Sequence, residues 1–305
     1  MVQSIILTGP TAVGKSRLAI ELAKKLNLEI INADSVCFYR EFDIGSAKPD
    51  AKERAEVRHH LLDIADPTDT YHAGAFLKDL RLTLADIHAR NKRALIVGGS
   101  GFYLKAMRLG LWDAPETSQN FRFSLESKTT DSLHEELVIK DPAHAQKIAA
   151  SDRYRIIRAL EILEVSGKKP SDLQAQMKTE PNPEFKLWVV DRDSEALSHR
   201  MRERISSMIS SGFIEEVDLL RKKYPNSKTL NAVGYAQIVN FLDGKTPEGR
   251  KLKPGIPGLV EEIQLSHRQL AKSQRTWFKS LSPDLRFILD TDRPALIEKL
   301  MNFYQ

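Results

Sequence analysis

The stretch Ile5-Ile6-Leu7-Thr8-Gly9-Pro10-Thr11-Ala12-Val13-Gly14-Lys15-Ser16-Arg17-Leu18-Ala19-Ile20 decides how the rest of the chain reads. An apolar run ends in Gly9, Pro10, Thr11, Ala12, Val13, Gly14, Lys15 and Ser16, and helix-forming residues follow. That is G-x-x-x-x-G-K-[ST] in a strand-loop-helix setting, the pattern of a phosphate-binding loop. Its glycines let backbone N–H groups close around anionic oxygens, and the helix start adds a partial positive charge. Lys15 is placed for the terminal phosphate, and the Ser16 hydroxyl suits a hard Mg²⁺ ion. The loop binds phosphate without saying which molecule carries it.

Composition narrows the classes. The chain has 305 residues, 41% hydrophobic and 29% charged, enough for a large core and about two domains. No apolar run approaches the roughly 18 residues of a membrane span, and the first residues lead into a strand rather than a signal peptide. A single cysteine, Cys37, allows no internal disulfide and no Cys-rich zinc site. A cytoplasmic enzyme without a membrane partner is the expectation. The formal net charge of +5 is compatible with a nucleic-acid partner but does not require one.

Working outward, strands are expected at Ser4–Leu7, Glu29–Asn32, Arg93–Val97 and Phe185–Val190. Helices are expected at Lys15–Leu26, Asp50–Arg58, Ala75–Arg90, Glu195–Ser211, Ile214–Lys223, Tyr235–Leu242 and Leu259–Leu281. Alternating strands and helices imply an α/β fold with a parallel sheet covered by helices. Three candidate turns, after Leu7, Asn32 and Val97, then share the carboxyl edge where such sheets bind ligands. After Trp112 the pattern changes. Asp113 to Thr130 is polar and loop-like, and Asp131 to Met177 is helical with breaks at Asp141-Pro142 and at Ser166-Gly167-Lys168-Lys169-Pro170. The expected organisation is an α/β core of residues 1–113 and 185–305 with a helical insertion of residues 114–184.

An ATPase or small-molecule kinase would need an apolar strand ending in Asp to hold Mg²⁺. The strand Ala94-Leu95-Ile96-Val97 ends in Gly98-Gly99 instead, and Asp63, the nearest substitute, reads as a turn residue before Pro67. Asp34 follows a strand, so it shares the edge with the phosphate loop. It reads equally well as a proton acceptor or metal-water ligand and as a cap of the next turn. Asp43, Gly45, Lys48 and Pro49 suit a rigid polar wall. Arg268, Lys272, Arg275 and Lys279, spaced 4, 3 and 4 apart, fall on one stripe of the last long helix. Leu259, Ile263, Leu270, Trp277 and Leu281 lie roughly opposite. Arg155 and Arg158 share a face near Tyr154, with Ile156, Ile157 and Leu160 inward. Such stripes are either solvated surface or rows of cations along a nucleic-acid backbone.

Taken in order, the motifs GPTAVGKS, NADS, YR, DIGSAKP, HHLLDI, VGGSG, RIIRALEI, GF..EV..L, VGY and RQLAK.Q.TWF make the chain resemble bacterial-type tRNA dimethylallyltransferases, also called tRNA isopentenylpyrophosphate transferases, over nearly its whole length. The resemblance implies a nucleotide-kinase-like fold whose helical insertion grips the tRNA anticodon stem-loop. The activity it implies is transfer of a dimethylallyl group from dimethylallyl diphosphate to N6 of the adenine at tRNA position 37. It further implies Mg²⁺ at Ser16, a diphosphate held by the loop with Arg200 and Arg204, and Asp34 as general base. Ser100, where Thr is usual, would orient substrate. The tRNA contacts implied are Asp34, Ser35, Val36, Cys37, Ser100, Arg122, Tyr154, Arg155, Ile156, Ile157, Arg158, Asn231, Ala232, Val233, Gly234, Tyr235, Ala236, Lys272, Ser273, Gln274, Arg275, Thr276, Trp277, Phe278 and Lys279.

The chain departs from the family pattern at Cys37 and Tyr154, where Gln is common, and at Ser273, where Arg is common. Asn231 and Ala236 also stand where basic residues are frequent. Each missing cation removes up to one interaction with a phosphate and leaves the chemistry in place. The enzyme is expected to be a monomer. The alternatives are a prenyltransferase of free adenine nucleotides, a kinase, and an RNA-binding module with a relic loop.

Overall fold

Ser4–Thr8 (β1) and Leu28–Asn32 (β2) are buried along their whole length, as strands are only in a sheet covered on both faces. His59–His60 (β3), Arg93–Gly98 (β4), Phe185–Asp191 (β5) and Leu285–Ile288 (β6) complete a parallel sheet in the order β3-β2-β4-β1-β5-β6. The structure is a computed structural model, described here over residues 3–111, 118–176, 180–245 and 253–304. Two compact units emerge, residues 1–108 with 181–305, and residues 109–180. The expected joint at 113/114, with Trp112, Pro115 and Thr117, and the expected helix end at Met177 lie outside the described residues. At the other joint, residues 181–184 go with the sheet. The Asn182 N–H donates to Arg108 O at 2.6 Å and the Gln3 amide to Pro183 O at 3.0 Å.

In the α/β unit the sheet core runs from Ile5, Leu7, Leu95 and Val97 through Leu18, Leu22 and Trp188 to Leu296 and Leu300 of the helix Arg293–Tyr304. Tyr304 seals the amino-terminal edge, its hydroxyl accepting from the Ile5 N–H at 3.3 Å and donating to Ala94 O at 2.7 Å. A second core of Phe42, Phe213, Val217, Tyr235, Ile238 and Ile263 binds the helices Ser194–Ser210, Phe213–Lys223, Tyr235–Leu242 and Ile256–Ser280. The helical unit closes over its own centre, Leu125, Leu133, Leu137, Ile156, Ile157 and Leu160.

The expected elements recur to within a turn at their ends, except that residues 146–152, expected as helix, form turns between the helices Pro142–Ala145 and Arg153–Ser166. The polar stretch expected as loop contains instead the helix Gln119–Glu126, capped by the Ser118 hydroxyl on the Phe121 N–H at 3.3 Å. Among its described residues it fully buries only Leu125, too little to show as a periodic stripe. β3, β6, the helix Gly101–Leu109 and the final helix are absent from the sequence expectations. β3 has two residues, and of β6 only Phe287 is buried.

Gly98 explains how β2 and β4 end side by side. A Cβ built there would lie 2.2 Å from the carbonyl carbon and oxygen of Ala33, so only a bare Cα lets the chain after β2 pass. Gly98→Ala should therefore lower stability by about 2 kcal/mol or more, measured as an earlier urea midpoint. Acid should act through His267, buried in the helix Ile256–Ser280. Burial, and then the charge of Arg204, depress its pKa to about 4 from an ordinary 6.5. The unfolded chain takes up this proton first, so stability should fall as pH drops from about 6.5 to about 4, by on the order of 3 kcal/mol. Glu29, held down to about 2 chiefly by hydrogen bonds from Arg90, acts in the same sense only at lower pH. Urea melts across this range should lose the upper slope in His267→Gln and keep the lower one.

Candidate active site

The loop after β1 owes its shape to close approaches. A Cβ on Gly9 would meet Val190 O at 2.2 Å, and Ala12 and Gly14 take left-handed φ of 63° and 100°. The N–H groups of Gly14, Lys15 and Ser16 have no hydrogen-bond partner among the described residues, as the start of a helix leaves them. Arginines hold the loop from outside. Arg200 Nε donates to Ala12 O at 3.2 Å, Arg192 Nε to Val13 O at 2.9 Å, and Arg204 Nη1 to Thr11 Oγ1 at 3.2 Å. Gln274 ties the loop to the turn after β4. It accepts from the Thr11 N–H at 2.9 Å and donates to Gly99 O at 2.9 Å.

The cations here are under-compensated. Arg192 is paired with Asp290, but Arg204 has a buried Nε with no hydrogen-bond partner among the described residues. Burial pushes the pKa of Arg204 down, against the opposing pull of Asp34. Lys15 is likewise pushed down by burial and up by Asp34, with Arg204 adding repulsion. Half-buried like charges of this kind are stabilised by an anion brought from outside.

Asp34 stands beside these cations. Its Oδ1 accepts from the Val36 N–H at 3.1 Å, and its own N–H donates to Asn32 Oδ1 at 3.0 Å. The second carboxylate oxygen has no hydrogen-bond partner among the described residues, so the side chain caps the turn through Oδ1 and keeps its other oxygen open. Ser100 accepts from the Ser35 N–H at 2.8 Å and donates to Ser35 Oγ at 3.0 Å, joining the turns after β2 and β4. Gly99 lies within reach of Lys15, for a Cβ there would come 3.5 Å from Nζ. Cys37 is buried, and burial followed by the charge of Asp34 raises its thiol to about 12. It is an inert small hydrophobe.

The place where a kinase holds its metal-binding carboxylate belongs to Gly98, where packing forbids a side chain. Asp63 is no substitute, since Lys48 takes Oδ1 at 2.6 Å and Arg54 takes Oδ2 at 2.7 Å. Among the described residues no three His, Cys, Asp or Glu side chains gather as a metal cluster, and no helix is long and apolar enough to cross a membrane.

The remaining expected contact residues divide. Lys272, Ser273, Thr276 and Lys279 are exposed on the long helix, as is Arg268. Arg275 departs from that stripe. Its guanidinium grips Asp191 in two hydrogen bonds of 2.7 and 2.9 Å, so it ties the helix to the end of β5 and does not extend the open row of cations. Leu270 and Trp277, expected in the core, are half-buried, and the Trp277 ring packs on Gly101, 3.1 Å from where a Cβ would stand. Phe278 and Tyr235 are buried, which removes their rings from direct contact with a partner. Gly234 is buried at φ 96°, Ala232, Val233 and Ala236 are half-buried, and Asn231 is exposed.

In the helical unit Ile156 and Ile157 are core residues, so contact through their side chains is excluded as well. Tyr154 and Arg155 are exposed, the latter beside Asp152 at 3.3 Å. Arg122 and Arg158 share one buried carboxylate, Glu161, at 3.3 and 3.0 Å. Sequence reasoning missed Arg192 and the bridging role of Gln274. Arg192 was findable, because it directly follows β5 on the same sheet edge that singled out Asp34.

Comparison with known proteins agrees with this geometry. A family model described as IPP transferase matches residues 37–281. The chain is 40% identical to the tRNA dimethylallyltransferase of Thiobacillus denitrificans, covering 91% of this chain and 88% of that protein. It is also 40% identical to that of Chromobacterium violaceum, with 92% and 86% covered. Among solved structures, the tRNA isopentenylpyrophosphate transferase of Bacillus halodurans superposes with a TM-score of 0.69 at 30% identity, covering 99% of this chain and 95% of the other. A eukaryotic dimethylallyltransferase acting on tRNA superposes with a TM-score of 0.83 at 26% identity, with 99% and 79% covered. A phosphate loop ringed by arginines, a carboxylate at its side, and relatives matched over nearly full length place the chain in the IPP transferase family.

Proposed function

We propose that this chain transfers a dimethylallyl group from dimethylallyl diphosphate to N6 of the adenine at tRNA position 37. The carrying observation is the juxtaposition of Asp34 with Lys15 and Arg204 on a sheet edge whose kinase-type carboxylate position is closed by Gly98. The relatives' names supply the substrates. The half-buried cations Lys15 and Arg204 and the free N–H groups of Gly14, Lys15 and Ser16 receive the diphosphate.

Breaking the allylic C–O bond sends its electron pair to the diphosphate, and Lys15, Arg204 and the loop amides stabilise that charge. The N6 lone pair forms the new C–N bond. Asp34 accepts the N6 proton on its unpartnered oxygen, which raises the nucleophilicity of an otherwise weak amine. Ser100, hydrogen-bonded to the Ser35 main chain, fixes the turn that presents Asp34. The oxygen donors fit Mg²⁺, because the exposed Ser16 hydroxyl has no hydrogen-bond partner among the described residues and Mg²⁺ readily completes its shell with phosphate oxygens and water. Bound there, the ion would add charge neutralisation at the leaving group. The helical unit, with Tyr154, Arg155, Arg158 and Arg122, grips the anticodon stem-loop, and the enzyme works as a cytoplasmic monomer.

Incubation with labelled dimethylallyl diphosphate and unmodified tRNA should yield N6-isopentenyladenosine on nucleoside analysis, and incubation with AMP should yield none. Label transferred to AMP alone would overturn the tRNA reading. Asp34→Asn should lower turnover by about two to four orders of magnitude with tRNA affinity little changed, as seen in single-turnover assays beside a binding titration. Replacing Arg155, Arg158, Lys272 and Lys279 by Ala should weaken tRNA binding and flatten its dependence on salt, by about one unit of log–log slope for each phosphate no longer neutralised. An unchanged slope would identify these side chains as solvated surface.

A further inference from the structure

We infer that Glu216 is a positioning residue, a latch that holds the acceptor-side segment around Asp34–Cys37 in register with the segment Gly234-Tyr235. The inference rests on the transfer reaction proposed above and adds a residue that touches neither substrate. Glu216 Oε2 accepts from the Ile44 N–H at 2.7 Å and the Asp43 N–H at 3.2 Å. Its Oε1 accepts from the Gly45 N–H at 3.2 Å and the Tyr235 hydroxyl at 2.8 Å. Three successive backbone N–H groups thus converge on one carboxylate, an anion nest filled from within the chain. Four donors on one ionised acceptor make a strong junction.

The surroundings show that the junction is built for closeness. A Cβ on Gly45 would stand 2.1 Å from the Phe213 ring and 2.6 Å from the Tyr235 ring, so glycine alone lets this backbone reach Glu216. Burial, and the adjacent Glu216 charge, push the Tyr235 phenol above its ordinary pKa, so it stays a donor. From the nest the hold passes along the chain. The Cys37 thiol donates to Ser46 O at 3.7 Å, and Ser46 Oγ donates to Phe42 O at 2.7 Å. Lys48, buried, reaches Tyr39 O at 2.7 Å and both Asp43 and Asp63 at 2.6 Å. Residues 37–48 are thereby one plate, cross-linked throughout and fastened at its far side by Glu216. Asp34, Ser35 and Val36 lead directly into it, and Tyr235 brings the Gly234 turn to the same carboxylate. Two segments of the acceptor side therefore share one anchor.

The test uses Glu216→Ala and Glu216→Gln, with thermal melts setting an assay temperature at which each variant is folded. Backbone exchange of a peptide spanning residues 42–47, followed by mass spectrometry, reads the latch without reference to activity. In Glu216→Ala this exchange should quicken, and KM for tRNA should rise about tenfold or more while KM for dimethylallyl diphosphate stays within about twofold. Glu216→Gln, which keeps one acceptor oxygen, should fall between wild type and Ala in both. Unchanged exchange would overturn the latch. Faster exchange with an unchanged KM for tRNA would make Glu216 a structural staple and overturn its positioning role. Wild-type enzyme that forms no isopentenyladenosine would overturn the transfer reaction itself, and the wild-type assay alone reveals that.

Discussion

Everything at the carboxyl edge of the sheet depends on the bare Cα of Gly98. Because it has no side chain, the backbone after β2 can lie against the end of β4. That approach brings Asp34 to the side of the phosphate loop while Thr8 Oγ1, at the end of β1, donates to Gly98 O at 2.7 Å. Three strand ends are locked together by one steric allowance, and the carboxylate and the cations meet as its result. The same allowance excludes any side chain, acidic or otherwise, at this strand end.

The electrostatics follow from this geometry. Lys15 and Arg204 are half-buried and have Asp34 as a shared counter-charge. Two cations set against a single carboxylate leave room for an incoming polyanion. Arg192 and Arg200 are placed differently, since they hold main-chain carbonyls of the loop and so fix its curvature. In the transfer proposed above, binding the diphosphate and deprotonating the amine would draw on one small cluster, in which the loop's shape, its charge and the Asp34 carboxylate are mutually constrained.

Much of this was legible in the residue order. The strand-loop-helix setting of Gly9 to Ser16 was legible because its pattern is local, and the ends of β2 and β4 followed from the parallel-sheet rule. The fates of individual cations were not legible. Arg268, Lys272, Arg275 and Lys279 share a helical stripe, yet Arg275 is drawn off by Asp191, which lies 84 residues away in the chain. Helical periodicity cannot register a partner on another element. Short edge strands such as β3 escaped for a related reason, because pairing with β2 makes them strands and their own two residues carry no pattern. Glu216 escaped because its partners are backbone N–H groups, which every sequence contains.

Gln274 carries a consequence of its own. A carboxamide offers and receives in one plane, so the same head group can face an amide hydrogen of one loop and a carbonyl of the other. A carboxylate of equal size would set lone pair against lone pair at Gly99, and an ammonium would set hydrogen against hydrogen at Thr11. The joint between the two loops is therefore written in polarity as well as in shape, and it closes in one orientation of a neutral group that leaves the nearby charges for the ligands.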